Sequence, residues 1–274
     1  MRMRPSPRRA PRDVQDHGRM LNRLRSRNVI EVESLSRSFM DKKRGVVPAV
    51  DRVSFAVAPG EIFGLLGPNG AGKSTCLRIL ATLLSPTSGR ASVNGFDVQR
   101  EGARVRESIG FLSGDMGLYP RMTPRELMLF FGRLSQVREP DLKRRSAELI
   151  ERLGMGDFAD SRFDKLSSGM KQKAAIARTL IHNPPVLILD EPTATLDVVT
   201  AGIVEGFILE AKREGKCIIY STHIMEEAEY VCDRIAVINE GQLRMTGTMD
   251  ELRAATGKQR LREIFLDLLD RKMQ

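Results

Sequence analysis

The sequence predicts an α/β fold built on a mostly parallel sheet, with an N-terminal antiparallel β subdomain and an inserted helical subdomain. Short apolar runs alternate with helical segments along most of the chain, which is typical of a parallel sheet. Residues 29–57 instead alternate apolar and polar residues, the pattern of antiparallel strands with one solvated face. Between about residues 115 and 165, helical spacing dominates, which indicates an insertion into the α/β core.

Composition limits the class of protein. The 274 residues, of which 41% are hydrophobic, are enough for one sizeable core, or one core with a small subdomain. The cysteines Cys76, Cys217 and Cys232 show neither a disulfide framework nor a zinc spacing, so we interpret them as core residues in a reducing compartment. No stretch approaches the roughly 18–20 apolar residues that span a bilayer. We therefore expect a protein that is soluble or is attached to a membrane through another protein.

The net charge of +9 is concentrated at the N-terminus. Residues 1–28 contain nine arginines and two aspartates, whereas the rest of the chain carries 35 basic and 33 acidic residues. A basic face for nucleic acid is therefore not indicated, and no nucleic-acid partner is expected. The segment 1–28 is rich in Arg and Pro, so we expect a disordered basic tail. Three interpretations of this tail remain. It could tether the protein to anionic lipid or nucleic acid, it could be a solvated arm, or it could be upstream sequence if translation begins at Met20.

Residues 67–75 carry a glycine-rich pattern that predicts the phosphate-binding loop of a P-loop NTPase core. They match the pattern G-x-x-x-x-G-K-[ST], with an apolar strand before them and a helix after them. Glycines let backbone N–H groups point at phosphate oxygens, while Lys73 reaches the β- and γ-phosphates and Ser74 offers its hydroxyl to Mg²⁺. The predicted nucleotide-binding residues of this loop are Gly67, Pro68, Asn69, Gly70, Ala71, Gly72, Lys73, Ser74 and Thr75.

The inserted helical subdomain has a clear start signal. Thr123 is placed to cap a helix that has Pro124 at its first position, and Glu126 completes a capping box. A second helix is predicted from about Pro140 to Leu153.

The remaining core elements alternate between strands and helices, as a parallel sheet requires. The exception is a hairpin, predicted from the Asn-Gly turn of residues 91–95. The predicted elements are strand 109–112, strand 186–189, helix 197–212, strand 217–221, helix 224–231 and strand 234–239.

Two acids follow the apolar strand 186–189, at the end of a parallel strand where ligands bind. Asp190 is placed to hold Mg²⁺ through water. Glu191 is placed to polarise an attacking water, as a general base must. Behind a phosphate loop, this pair predicts nucleotide hydrolysis.

Two polar segments complete the predicted site. Residues 166–172 precede a helix predicted over 173–181, and Ser167 and Gly169 can form a second anion cradle at its start. An ordinary helix cap is the alternative for this segment. His223 follows a predicted strand, so we expect it to point toward the phosphate crevice and to contact the γ-phosphate.

Taken together, these segments resemble the ATP-binding-cassette (ABC) ATPase family over about residues 29 to 250. The resemblance implies an ATPase domain over 29–250 and a C-terminal helical extension over 251–274. It also implies that Phe39 stacks on adenine, although a core position at a strand edge is the alternative. The matching motifs are the Walker A loop Gly67–Thr75, the signature Leu166–Met170, the Walker B strand Val186–Asp190 with the catalytic Glu191, the D-loop Thr195–Asp197 and the switch histidine His223.

The chain also departs from the family pattern. Ser168 and Met170 replace two residues of the usual Leu-Ser-Gly-Gly-Gln signature, and Gly114 stands where the family places a magnesium-binding Gln. Either Asp115 or a water takes the place of that Gln. Residues 113–119 and 165–173 look like the NatA-type group, which comprises ATPase subunits of sodium-extruding ABC exporters.

The family resemblance implies a mechanism that needs partners. Two cassettes would hold ATP and Mg²⁺ between Lys73 of one copy and Ser167 and Gly169 of the other. We expect a homodimer, and a heterodimer is the alternative. Closure and reopening would drive a separate integral membrane permease from the cytoplasmic face of the membrane. Sodium ion efflux is one transport function that the resemblance implies. The helical region 115–135 is the expected docking surface for the permease.

Two other functions are compatible with a phosphate loop. A soluble cassette ATPase acting on ribosomes or DNA is favoured only by the basic tail, and a small-molecule kinase leaves the segments around Ser167 and His223 unexplained. Residues 260–273 have helical spacing and are expected to pack on their own domain, with a bridge to the second copy as the alternative.

Overall fold

The computed structural model describes residues 28–43, 45–113, 119–194 and 196–270, which form two sheets flanked by helices. The strands are β1 (Ile30–Asp41), β2 (Gly45–Val57), β3 (Ile62–Leu66), β4 (Ser88–Val93), β5 (Phe96–Asp97), β6 (Ile109–Leu112), β7 (Val186–Asp190), β8 (Cys217–Thr222), β9 (Arg234–Asn239) and β10 (Gln242–Gly247). The helices are α1 (Lys73–Leu80), α2 (Gly102–Ser108), α3 (Pro124–Leu134), α4 (Glu139–Arg152), α5 (Ser168–Leu180), α6 (Val198–Arg213), α7 (Met225–Val231), α8 (Met249–Thr256) and α9 (Leu261–Asp270), with a short 3₁₀ turn at Phe163–Lys165.

The larger sheet positions the site. Its strand order is β10-β9-β3-β8-β7-β6, and every pair is parallel except β10 with β9. Strands β3, β7 and β8 are buried along their whole length, because helices cover both faces of the sheet. Leu66 pairs with Thr222, and Asp190 pairs with Ser221. The carboxyl ends of these three strands therefore meet at one edge, as predicted.

The smaller sheet is the antiparallel subdomain predicted for residues 29–57, extended by a hairpin. Its order is β2-β1-β4-β5. Asn94 and Gly95 join β4 to β5 with φ values of 52° and 77°, so both residues of the turn take the left-handed conformation that Asn-Gly favours. Phe55 stacks on Phe63 of the larger sheet at 4.8 Å between ring centroids, which ties the two sheets together.

The inserted helices confirm the helical part of the fold prediction. Helix α3 begins with the predicted capping box, in which Thr123 accepts from the backbone N–H of Glu126 and Glu126 accepts from that of Thr123. Helix α4 begins at Glu139, one residue before the predicted start. Leu127 of α3 and Leu142 of α4 are buried in one hydrophobic cluster with residues of α5 and β7. The insertion is thereby anchored to the core.

The capping box gives a stability prediction. We expect Thr123→Ala to lower the free energy of unfolding by about 1 kcal/mol, because the N–H of Glu126 loses its acceptor. Urea denaturation followed by circular dichroism measures the change. Thr123→Ser keeps the hydroxyl and should stay near wild type. Equal unfolding midpoints for the Ala and Ser variants would show that this cap does not stabilise the fold.

Some predicted boundaries were wrong or incomplete. Helix α5 begins at Ser168 rather than at residue 173, because the hydroxyl of Ser167 accepts from the backbone N–H of Met170 and starts the helix earlier. The short elements α2 and β10 were not predicted, and α8 was covered only by the helical extension expected from residue 251. The domain boundary expected at residue 250 stays a prediction, and α8 spans that position.

The C-terminal helices pack on their own chain, as predicted for residues 260–273. Leu252 of α8 and Leu261, Ile264 and Phe265 of α9 lie in one cluster with Ile235 of β9. The predictions for residues 1–27, Gly114, Asp115, Thr195 and residues 271–274 lie outside the described residues. Within the described ranges, none of the helices is both long and apolar enough to span a membrane.

Candidate functional site

The phosphate loop between β3 and α1 depends on glycine at two positions. A Cβ on Gly67 would lie 2.3 Å from the carbonyl oxygen of Ile238, and a Cβ on Gly72 would lie 2.3 Å from that of Ala49. Gly72 also has a φ of 107°. No described side chain caps α1, so its first N–H groups remain available to an anion. The loop is thus shaped as a phosphate cradle.

Lys73, the first residue of α1, lies at the centre of the loop. Its side chain is only 4% exposed, and its ammonium donates to the carbonyl oxygens of Gly67 at 2.7 Å and Pro68 at 3.2 Å. The same nitrogen lies 3.2 Å from Oε1 of Glu191. A buried cation held by loop carbonyls and one carboxylate is placed where a phosphate group can compete for it.

Asp190 and Glu191 are held by the neighbouring strand β8. Ser221 Oγ donates to Oδ1 of Asp190 at 2.7 Å, and the backbone N–H of Glu191 lies 3.1 Å from the same hydroxyl. Glu191 has a φ of 49°, a conformation that costs free energy for a residue other than glycine. This unusual backbone brings the carboxylate of Glu191 to Lys73.

Glu191 also contacts His223. Oε1 of Glu191 lies 3.2 Å from Nδ1 of His223 and 3.2 Å from the ammonium of Lys73. Nδ1 of His223 is shielded from solvent and makes no hydrogen bond to any described residue, although it lies close to the carboxylate of Glu191. Lys73 and His223, from two other segments of the chain, therefore converge on the carboxylate of Glu191.

The oxygen atoms at this edge suit Mg²⁺. Ser74 follows Lys73 in the first turn of α1, which packs against β7, and β7 ends at the carboxylate of Asp190. In the described part of the chain, no cluster of three or more His, Cys, Asp or Glu side chains could hold a metal ion without help. Mg²⁺ commonly takes one carboxylate together with phosphate oxygens and water. The donors present therefore fit a magnesium ion that arrives with a nucleotide.

The signature turn lies at the start of α5, on the surface. Ser167 is exposed and Gly169 is half-buried. Ser167 caps α5, so the capping role is real, yet an exposed helix start of this kind can also bind an anion. Among the described residues, no hydrogen bond joins this turn to the phosphate loop of the same chain. A direct link runs instead from Gln172 to the loop after Glu191, since its amide donates to the carbonyl of Pro192 at 2.6 Å.

Phe39 does not occupy a core position, because its side chain is 39% exposed at the end of β1. The guanidinium carbon of Arg37 lies 4.8 Å from the centroid of its ring. The structure thus offers a surface aromatic for stacking. No hydrogen bond or ion pair among the described residues connects Phe39 to Lys73 or Glu191, and its contact with adenine stays a prediction.

Cys76 lies three residues after Lys73 but takes no part in the site. Burial raises the pKa of its thiol to about 12, so the nucleophilic thiolate is not populated near neutral pH. Cys217 is likewise buried, and Cys232 is half-buried. The structure agrees with the interpretation of these residues as apolar side chains.

Sequence reasoning missed the residues that hold the reactive groups. Ser221 was predicted only as the last residue of strand 217–221, and its bond to Asp190 was not foreseen. Gln172 was part of the polar segment 166–172, but no role was predicted for it. Glu227 of α7, which accepts from hydroxyl groups near the site, gave no signal at all.

Comparisons with known proteins agree with this geometry. The family model described as ABC transporter matches residues 50–194. ABC transporter ATP-binding protein NatA of Bacillus subtilis is 43% identical over 244 residues, which cover 89% of this chain and 99% of NatA. Nod factor export ATP-binding protein I of Paraburkholderia xenovorans is 38% identical over 226 residues, which cover 82% of this chain and 73% of that protein. The NatA-type assignment is therefore confirmed.

A solved structure shows a similar fold with products of hydrolysis. The dimeric post-hydrolysis state of the ATP-binding cassette MJ0796 bound to ADP and Pi has a TM-score of 0.73 and 25% identity, and the match covers 80% of this chain and 98% of that chain. This likeness agrees with the phosphate loop and with the acids at its mouth. The chain therefore belongs to the ABC transporter family and is an ATP-binding subunit that hydrolyses ATP.

Proposed function

We propose that this chain powers a separate membrane permease of an exporter by closing, with a second copy of itself, around two molecules of Mg·ATP. The convergence of Lys73, Glu191 and His223 supports the proposal, because it gathers a phosphate-binding cation, a general base and a γ-phosphate contact at one edge. The exposed turn at Ser167 supplies the second half of a site that one chain leaves open.

Binding begins with an exchange of partners at Lys73. In the structure its ammonium donates to two carbonyl oxygens and pairs with the carboxylate of Glu191. The β- and γ-phosphates offer stronger, charged acceptors, so Lys73 turns to them and releases the carboxylate of Glu191. Glu191 is then free to orient water beside the γ-phosphate.

Hydrolysis follows from the same geometry. Glu191 accepts the proton of the attacking water, and His223 contacts the γ-phosphate from the end of β8. Ser74 and Asp190 are the proposed protein ligands of Mg²⁺, which when bound neutralises charge on the β- and γ-phosphates. Phe39 stacks on adenine. Ser167 and Gly169 of the second copy contact the triphosphate across the interface.

The proposed membrane partner docks on the helical insertion. The expected surface is residues 115–135, of which the structure describes 119–135. Tyr119, Phe130 and Phe131 form an aromatic cluster there, with ring centroids 5.3 to 6.3 Å apart. Leu134 is 68% exposed beside it. An apolar surface of this kind suits a cytosolic segment of a permease, which would hold the chain at the inner face of the membrane.

We further propose that the complex exports its cargo and that the cargo is sodium ions. The likeness to a Nod factor export protein supports export. The NatA-type group supports sodium ions as the first cargo to test.

Affinity purification tests the partner. We expect the tagged chain, isolated from mild-detergent extracts, to bring down a polytopic membrane protein, and Leu134→Asp to weaken that capture by placing a charge in the apolar surface. Met40→Asp is the control, because Met40 is an apolar residue of the antiparallel sheet that is even more exposed than Leu134. Capture of ribosomal particles or DNA in place of a membrane protein would refute the permease proposal.

A further inference from the structure

Glu227, on α7, lies beside the site but was given no role above. Its carboxylate accepts from the hydroxyl of Thr193 at 2.7 Å, from that of Thr222 at 2.8 Å and from the phenol of Tyr220 at 3.1 Å. Thr193, Tyr220 and Thr222 are all buried. Burial raises the pKa of Tyr220, so its phenol keeps the proton that it donates. One carboxylate therefore collects three hydroxyl groups in the interior.

The partners of Glu227 sit next to the reactive residues. Thr193 lies two residues after Glu191, in the loop that follows β7. Thr222 directly precedes His223, and its hydroxyl also accepts from the backbone N–H of Ile224 at 3.0 Å. The two oxygens of Glu227 thus bind different loops: Oε1 binds the one that carries Glu191, and Oε2 binds the one that carries His223.

The hydrogen bonds of Glu227 hold two loops whose positions are not fixed by the site residues themselves. Glu191 has a strained backbone with a φ of 49°, so the loop after it must be held from outside. His223 touches no described residue by a hydrogen bond at Nδ1, so its placement depends on the backbone around it. Gln172 holds Pro192 from the side of α5, and Glu227 holds Thr193 from the side of α7.

We propose that Glu227 is a positioning residue for ATP hydrolysis, which fixes Glu191 and His223 relative to each other through Thr193 and Thr222. The inference rests on the proposed roles of Glu191 and His223. The bonds of Glu227 do not reach the phosphate loop, so we expect ATP binding to change little when Glu227 is replaced.

The test separates positioning from folding by kinetics. Glu227→Gln keeps size and one acceptor oxygen but places an amide donor against hydroxyl donors. We expect its kcat for ATP to fall about tenfold, with KM and the ATP dissociation constant within about twofold of wild type, because small displacements of reacting groups lower rates steeply. Thr193→Val and Thr222→Val should each lower kcat in the same direction. Glu226→Gln, an exposed neighbour on α7, should match wild type.

A double-mutant cycle and a parallel variant decide the outcome. If Thr193 acts through Glu227, Thr193→Val should cost little more in the Glu227→Gln background. Additive losses, an unchanged kcat in Glu227→Gln, or losses in kcat and ATP affinity that track a lower melting temperature would overturn the inference. Glu191→Gln is assayed alongside. If it is inactive while Glu227→Gln retains full kcat, the positioning role fails and the base assignment stands. If Glu191→Gln retains hydrolysis, both fail.

Discussion

Glu191→Gln is expected to reduce ATP turnover by about a thousandfold while leaving ATP binding intact. The amide cannot take the proton of the attacking water, although its shape and its neighbours Lys73 and His223 are unchanged. Lys73 keeps its two carbonyl contacts, so the phosphate loop stays formed. Steady-state phosphate release measures turnover, and calorimetry on the same protein measures ATP affinity.

The same variant should accumulate as an ATP-bound dimer, because closure precedes hydrolysis in the proposed cycle. Size-exclusion chromatography with and without Mg·ATP shows this directly. Glu226→Gln removes one charge from an exposed site nearby and should remain active and monomeric in ATP. Wild-type hydrolysis by Glu191→Gln would mean that the general base is another group.

The sequence was sufficient for the parts of the fold that local patterns encode. The Asn-Gly turn, the capping box at Thr123 and the all-apolar strand before Asp190 each have a short-range physical cause. The phosphate loop is also predictable from local sequence, because its motif places glycine at positions where a side chain would collide with the backbone. Gly72, for example, meets the carbonyl of Ala49 where any side chain would clash.

The supporting contacts of the site could not be read from the sequence. Ser221 reaches Asp190 across 31 positions of sequence, and Thr193 reaches Glu227 across 34. Only the order of strands in the sheet brings them together. The positive φ of Glu191 is also invisible in the sequence, since no glycine marks it. Sequence reasoning therefore named the residues that meet at this edge of the sheet, but not the side chains that hold them there.

Lys73→Ala should lower ATP affinity about a hundredfold, the equivalent of about 3 kcal/mol, because the charged hydrogen bonds to the β- and γ-phosphates are lost. The fold should survive, since the carbonyl groups of Gly67 and Pro68 can bond to water that enters the vacated space. Arg78→Ala removes an exposed charge from the same helix and controls for net charge. Calorimetry with ATP and Mg²⁺ measures both variants. Equal affinity in Lys73→Ala and Arg78→Ala would show that Lys73 does not bind the triphosphate, and the loop around Gly67 would then need another ligand.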